Sequence, residues 1–259
     1  MKKYFFLGLV LVGLNLACTS VVSENDQISN SEVDLTSFLD RIAAPPIDKP
    51  IKESHFQFNN HLYDIHKFYD SFGYEILNIY TDISGLDTVG ITTFEYSMDK
   101  LVKQTKYFLA ENVDMTQHFD YLYDESQKLI QVKRDNSNFE LYNYNSLNQV
   151  ESIILGASLQ LADVYEFTYD LKGKIDTQIL RSLNGGETPL RYWVYFYDNE
   201  GKLISKKVPE KPSNELREMF IYDYDEQDRL IEIEEFYPED NFSIWGKTIY
   251  TYSSETESN

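Results

Sequence analysis

Eight tyrosines, each followed by a turn-forming residue, recur along this chain at a nearly constant interval. They are Tyr69, Tyr96, Tyr123, Tyr144, Tyr169, Tyr197, Tyr224 and Tyr252, with successive gaps of 27, 27, 21, 25, 28, 27 and 28 residues. A period of this size marks a repeat architecture, in which one unit cannot bury its apolar face alone. It constrains the fold strongly and leaves the function open.

Two residues before these anchors stand Phe94, Tyr121, Tyr142, Phe167, Tyr195, Tyr222 and Tyr250; only Lys67, in the first unit, is not aromatic. A spacing of two puts both side chains on one face of a strand, whereas a helix would turn them about 200° apart. After each anchor comes Asp, Asn or Ser: Asp70, Ser97, Asp124, Asn145, Asp170, Asp198, Asp225 and Ser253. These residues open type I turns. Three positions later, Gly73, Asn148, Gly173, Gly201 and Asp228 suit a positive φ, and Gln127 suits it less well. The unit at Tyr96 is one residue shorter and needs a different turn. A basic residue and an aliphatic one follow, as in Lys128–Leu129, Lys174–Ile175, Lys202–Leu203 and Arg229–Leu230, and the aliphatic residue opens a return strand.

Each unit therefore reads as a β-hairpin. Polar or Gly/Pro-rich stretches at Asp135–Asn138, Asn184–Glu187, Pro209–Asn214 and Pro238–Asn241 separate the units. The expectation is an all-β chain: an antiparallel meander of about seven tyrosine-rich hairpins plus a final strand, roughly fifteen strands. Open sheets of more than about ten strands curl, split or close. One strongly curled sheet is expected, with the aromatic ladder on its concave side.

The strings YDLKGKI (Tyr169 to Ile175) and YDNEGKL (Tyr197 to Leu203) resemble the YD repeat, also called the RHS repeat. YDESQKL and YDEQDRL resemble it without the glycine, and the likeness covers about residues 60–253. In large members of that family the repeats wind into a hollow shell around a toxic C-terminal region. This chain is expected to lack that cargo, since the polar stretch SSETESN follows Tyr252. It looks more like small lipoproteins of Bacteroidota-type bacteria that carry a few such repeats.

The N-terminus supports that resemblance. Met1-Lys2-Lys3 and an apolar run from Tyr4 to Leu14 have the form of a secretory signal. The run is too short to span a bilayer, which needs about 20 apolar residues. It leads into Leu14-Asn15-Leu16-Ala17-Cys18, which resembles a bacterial lipobox with Asn15 where Leu is usual. Cys18 is the sole cysteine and is the expected lipid-attachment residue. Residues 1–17 read as signal peptide and 18–52 as a polar tether with a short helix and a Pro-rich spacer. Residues 53–254 read as the repeat domain and 255–259 as a polar tail. The helix is expected from a capping-box-like start at Ser31 and Asp34 and an apolar face of Leu35, Phe38, Leu39 and Ile42, ending at Pro45 and Pro46.

The net charge of −20 becomes −22 once Lys2 and Lys3 leave with the signal. Such a surface repels phosphate backbones, so no nucleic-acid partner is expected. It also opposes anionic lipid, so membrane contact through a lipid anchor is expected. Glu232 and Glu234 lie on one strand face about 7 Å apart, a spacing open to a paired-carboxylate hydrolase. A solvated acidic face is the simpler reading. His61 and His66 fall on opposite strand faces, and His55 and His61 along one strand would be about 20 Å apart, so no metal is expected. No cofactor motif occurs.

Aromatic residues remain the functional lead. Within Arg191–Tyr197, Trp193, Tyr195 and Tyr197 share one face while Tyr192, Val194 and Phe196 share the other. Trp193, Tyr192, Tyr195 and Trp245 are the candidate ligand-stacking residues. The expected function is non-enzymatic: an outer-membrane, lipid-anchored envelope protein with an interaction or structural β-repeat module. Its partner would be an envelope protein or a glycan. A glycan-binding surface lipoprotein in polysaccharide uptake is the alternative, and a hydrolase comes third.

Overall fold

A computed structural model of the protein describes residues 36–58, 60–85, 87–110, 113–135, 138–156, 162–183, 189–209, 216–237 and 243–253. The signal segment, Cys18, the helix-start residues Ser31, Asp34 and Leu35, and the tail lie outside these. The strands are β1 (Pro50–Gln57), β2 (Asn60–Tyr69), β3 (Glu75–Asp82), β4 (Thr88–Ser97), β5 (Lys100–Ala110), β6 (Val113–Tyr123), β7 (Leu129–Arg134) and β8 (Asn138–Tyr144). They continue as β9 (Val150–Gly156), β10 (Ala162–Tyr169), β11 (Ile175–Ser182), β12 (Arg191–Tyr197), β13 (Leu203–Pro209), β14 (Leu216–Tyr224), β15 (Leu230–Tyr237) and β16 (Ser243–Tyr252). Each pairs antiparallel with its sequence neighbours, and β1 pairs with β16, so the sheet is a closed barrel.

The expected open, curled sheet is thus corrected, and the last unit gives the reason. Tyr252 ends β16 as the other anchors end their strands, but its return strand comes from the other end of the chain. Lys49–Pro50 stands where Lys174–Ile175 and Lys202–Leu203 stand elsewhere, and β1 completes the eighth hairpin. Closure pairs both edges that an open meander would leave exposed.

The short N-terminal helix is corrected too. What is described is a single turn, α1 (Thr36–Leu39). One turn is too short to hold itself by hydrogen bonding. Instead Phe38, Leu39 and Ile42 pack onto Ile76, Leu77, Ile79 and Ile91 of β3 and β4. The chain then runs on as a strand-like contact, with Ala43 N–H donating to the Tyr69 carbonyl at 2.7 Å.

The hairpin turns share one chemistry. Asp70 Oδ1 accepts the N–H groups of Phe72 and Tyr74 at 2.9 Å, and Asp170 Oδ1 accepts those of Lys172 and Lys174 at 2.8 Å. Gly73, Gly173 and Gly201 take positive φ, as do Asn148 and Asp228; so does Gln127, at 65°, although its type suits that position poorly. The short unit turns through Met98 and Asp99, both at positive φ, between paired Ser97 and Lys100. That is the two-residue type I′ solution.

The anchor tyrosines lock neighbouring hairpins together. Tyr224 Oη donates to the Leu203 carbonyl at 2.9 Å, Tyr197 to Ile175 at 2.9 Å and Tyr169 to Val150 at 2.6 Å. Tyr144, Tyr123, Tyr96 and Tyr252 do the same to Leu129, Leu101, Glu75 and Leu230. Tyr69 to Pro50, at 2.7 Å, completes the circle. The ladder between β13 and β14 begins only at Ser205–Ile221, so the Leu203 carbonyl has no strand partner and the hydroxyl takes it.

The repeated basic residue has its own place. Lys128, Lys174 and Lys202 lie 5.3, 5.1 and 5.6 Å from the next unit's anchor ring, and Arg229 lies 4.5 Å from Tyr252. Lys49 lies 5.8 Å over Tyr69 at the seam. In the first unit Tyr74 stacks on Tyr96 at 4.8 Å instead.

Sixteen strands make a barrel wide enough to leave a channel. Substantial packing between strands is confined to barrel neighbours. On the tyrosine face, side chains two strands apart meet, as Arg191 of β12 and Glu218 of β14 do, which is the behaviour of a concave wall. Lys67 explains itself there. It fills the second aromatic place of its unit and bridges Glu53 (2.5 Å) and Glu75 (3.4 Å) on the flanking strands.

Candidate functional site

Strand alternation places Trp193 and Tyr195 on the tyrosine face and Tyr192 on the opposite one, opposite Ile179. Trp193 is 7% exposed. Its ring lies 5.9 Å from that of Tyr165, with the Arg191 guanidinium 5.1 Å and Lys206 Nζ 5.9 Å from its centroid. Tyr195 donates to Gln178 Oε1 at 2.6 Å. Trp245, half-buried on β16, meets the rings of Phe58 (6.0 Å) and Tyr237 (5.2 Å). Cys18 lies outside the described residues.

The two tryptophans are linked by residues that spacing along the chain does not reveal. Arg191 pairs with Glu218, whose side chain is 2% exposed. Tyr237 Oη lies 2.6 Å from Glu218 Oε1 and 3.0 Å from Glu235 Oε1. One hydroxyl proton cannot serve two ionised carboxylates. The hydroxyl proton goes to Glu218 at the shorter distance, with Glu235 Oε1 the second acceptor in reach. Burial pushes the Glu235 carboxyl upward, against the lowering effect of the Tyr237 hydroxyl. Burial, followed by the charge of Glu235, also raises Tyr237.

A cross-strand row crosses this wall: Tyr195, Lys206, Phe220, Glu235 and Gly246, in register from β12 to β16. Lys206 Nζ sits 4.4 Å from the Phe220 ring. Burial, then the nearby Arg191 charge, lowers its pKa. Gly246 keeps the row open, because a Cβ there would lie 2.8 Å from Glu235 Oε2. Perturbed titratable groups gathered against aromatic rings are a recognised mark of binding sites. This wall can hold a polar ligand through Arg191, Lys206 and Glu235 while Trp245 offers a ring edge.

Other candidates are self-satisfied. Glu232 and Glu234 share Lys247 at 2.7 and 3.4 Å. Burial, with Glu232 beside it, raises Glu234. The expected separation of His55 and His61 along one strand is corrected, because a turn at Phe58 puts His55 on β1 and His61 on β2. His61 Nε2 contacts Asp64 at 2.7 Å, and Asp64 also pairs with Lys52 at 2.7 Å. A cleft of about 370 Å³ lies at the turn rim between residues 40–43 and 70–72.

No protein-family model matches the chain, and no characterised protein matches its sequence. Solved structures do. The Tc holotoxin pore of Photorhabdus luminescens is similar over 71% of this chain at 16% identity and a TM-score of 0.34. This chain spans only 9% of that toxin chain. Porin-like proteins are similar from Bacteroides uniformis (10% identity, TM-score 0.43, 82% of this chain and 99% of that one). One from Bacteroides vulgatus follows at 10% identity and a TM-score of 0.39, over 80% and 99% of the two chains. Identities and TM-scores this low carry no functional argument.

Proposed function

We propose that the protein is a non-enzymatic cell-envelope protein, held at the outer membrane by a lipid on Cys18, whose barrel is an interaction module and not a pore. One observation carries this reading: both faces of the wall bear charge in mid-strand. The tyrosine face has Glu53, Lys67, Glu140, Lys206 and Glu235, and the opposite face has Lys103, Asp120, Lys133, Glu166, Glu232 and Lys247. A transmembrane barrel shows lipid an apolar band about 25 Å tall, and a charge in that band costs roughly 2–4 kcal/mol at mid-depth. Neither face offers such a band, so membrane attachment has to come from an anchor. The test is fractionation in high salt of the wild type and of Cys18→Ser. Release of the variant alone is expected. Retention of Cys18→Ser, or steady conductance of the protein in planar bilayers, would overturn the reading.

The wall around Trp193 and Trp245 favours glycan binding as the specific interaction. Trp245, Lys206, Arg191 and Glu235 combine a ring with donors and acceptors for hydroxyl groups. On a glycan array, Trp245→Ala and Lys206→Met should lose any bound saccharide. Binding unchanged in both variants would remove this wall from the recognition surface.

A further inference from the structure

An up-and-down barrel puts every tyrosine-anchored turn at the same end, so the turn tips form one ring. In barrel order the tips carry Ile47, Phe72, Met98, Glu125, Leu147, Leu171, Glu200 and Glu226. Leu171, Met98, Phe72 and Leu147 are 108, 91, 83 and 77% exposed, the most exposed large apolar side chains among the described residues. Turn formation does not call for them. The central positions of the type I turns that carry Phe72, Leu147 and Leu171 accept most residue types, and acidic ones fill the same places in other units, while the type I′ turn at Met98 favours Asn or Gly over Met. The apolar tips run as an arc from Ile47 to Leu171, broken by Glu125, and the two remaining units are acidic. Apolar tips on successive hairpins of one rim make that rim a candidate interaction surface.

We propose that this arc is a lipid contact, which seats the turn rim in the interfacial layer of a zwitterionic bilayer with the Glu200 and Glu226 units lifted clear. The path of the chain selects this occupant, and the inference rests on the lipid-anchor reading above. The N-terminal segment joins the barrel at this rim: Ala43 pairs with Tyr69, and Lys49 Nζ donates to the Gly73 carbonyl at 2.8 Å. By subtraction, 18 residues separate Cys18 from Thr36, at most about 60 Å of extended chain. A lipid on Cys18 therefore holds the membrane within that reach of the segment that joins this rim. The turn aspartates there do not oppose the contact strongly, since Asp70 and Asp170 already accept turn N–H groups, and the Leu147 turn opens with the neutral Asn145. An acyl chain joined to a second apolar signal is also the combination that turns marginal membrane binding into stable anchoring.

The test places an environment-sensitive dye at Leu171→Cys in the acylated full chain, where the Cys18 thiol is consumed by the lipid. Glu226→Cys carries the control dye. On phosphatidylcholine vesicles, the 171 dye should shift to the blue and be quenched by spin-labelled lipid, while the 226 dye stays as in water. The triple variant Phe72→Asp, Leu147→Asp, Leu171→Asp should lose at least fivefold in vesicle affinity with an unchanged thermal melt. If the protein floats with vesicles while the 171 dye remains as in water, the anchor reading stands and this inference fails. If it does not float, both fail. A shift that appears without vesicles and grows with protein concentration assigns the arc to a second copy of the chain and overturns the lipid contact.

Discussion

Strands β2–β5 and β12–β16 are built from the same hairpin and held by opposite means. In β2–β5 the face away from the tyrosines is dry: Ile76, Leu77, Ile79 and Ile91 are covered by Phe38, Leu39 and Ile42. In β12–β16 the closest packing is on the tyrosine face and runs through charge, from Arg191 to Glu218 to Tyr237 to Glu235. The common hairpin shows that the repeat sets the backbone and leaves the lining free to vary. One sector uses that freedom for a core. The other keeps buried polar groups, which stabilise poorly compared with apolar packing and need a further reason to persist.

Five experiments can break or sharpen this contrast. Leu77→Ala should lose about 2–5 kcal/mol in urea unfolding, the range for emptying a buried leucine site. Glu218→Gln should lose less, about 1–3 kcal/mol, for an unsatisfied buried group. It should also change the fluorescence of Trp193 and Trp245 before global unfolding. A Glu218 variant as stable as wild type would show that the polar wall does not hold β12–β16 together.

Tyr197→Phe removes one hydroxyl from the locking ring and should lose about 0.5–1.5 kcal/mol. The same loss is expected in either sector, because the ring is common to both. Alkali tests the wall tyrosines collectively. Burial pushes Tyr96, Tyr121, Tyr195, Tyr222 and Tyr250 up to about 12. A folded pKa above the ordinary value of about 10 means that their stabilisation is complete below pH 10. It is lost as pH rises from there through about 12. The urea midpoint should fall across that window while tyrosinate absorbance rises, and Tyr222→Phe should make the fall shallower. The smallest effect is expected from Lys174→Met, about 0.5–1 kcal/mol for one cation over the Tyr197 ring. A larger loss would mean that its contact with the Gly201 carbonyl, not the ring, matters most.

The turns were legible because their chemistry is local. A starter that accepts its own turn's N–H groups and a residue that tolerates positive φ are a few positions apart, and Gln127 and Met98 strain that rule. The tyrosine spacing of two was legible for the same reason. Closure was not. Pro50 carries no repeat signature, and its role appears only when β1 lies against β16. The polar wall was equally hidden: Arg191 and Glu218 are 27 residues apart in sequence, and Glu235 matters because Gly246 faces it across a strand pair. Trp193 and Trp245 were identified as aromatic excess, but the cations over Trp193 and the rings around Trp245 depend on register.

By itself, then, the sequence determined the hairpin: its period, its turn and the face its tyrosines share. These follow from interactions spanning a few residues, whose geometry is set by covalent structure. Only the tertiary structure decided that the hairpins close into a barrel, that each tyrosine binds its neighbour's carbonyl, and that the apolar turn tips gather at the rim where the N-terminal segment joins. Those outcomes depend on which strand edges meet, and pairing between edges far apart in sequence is set by the whole sheet and not by any one unit.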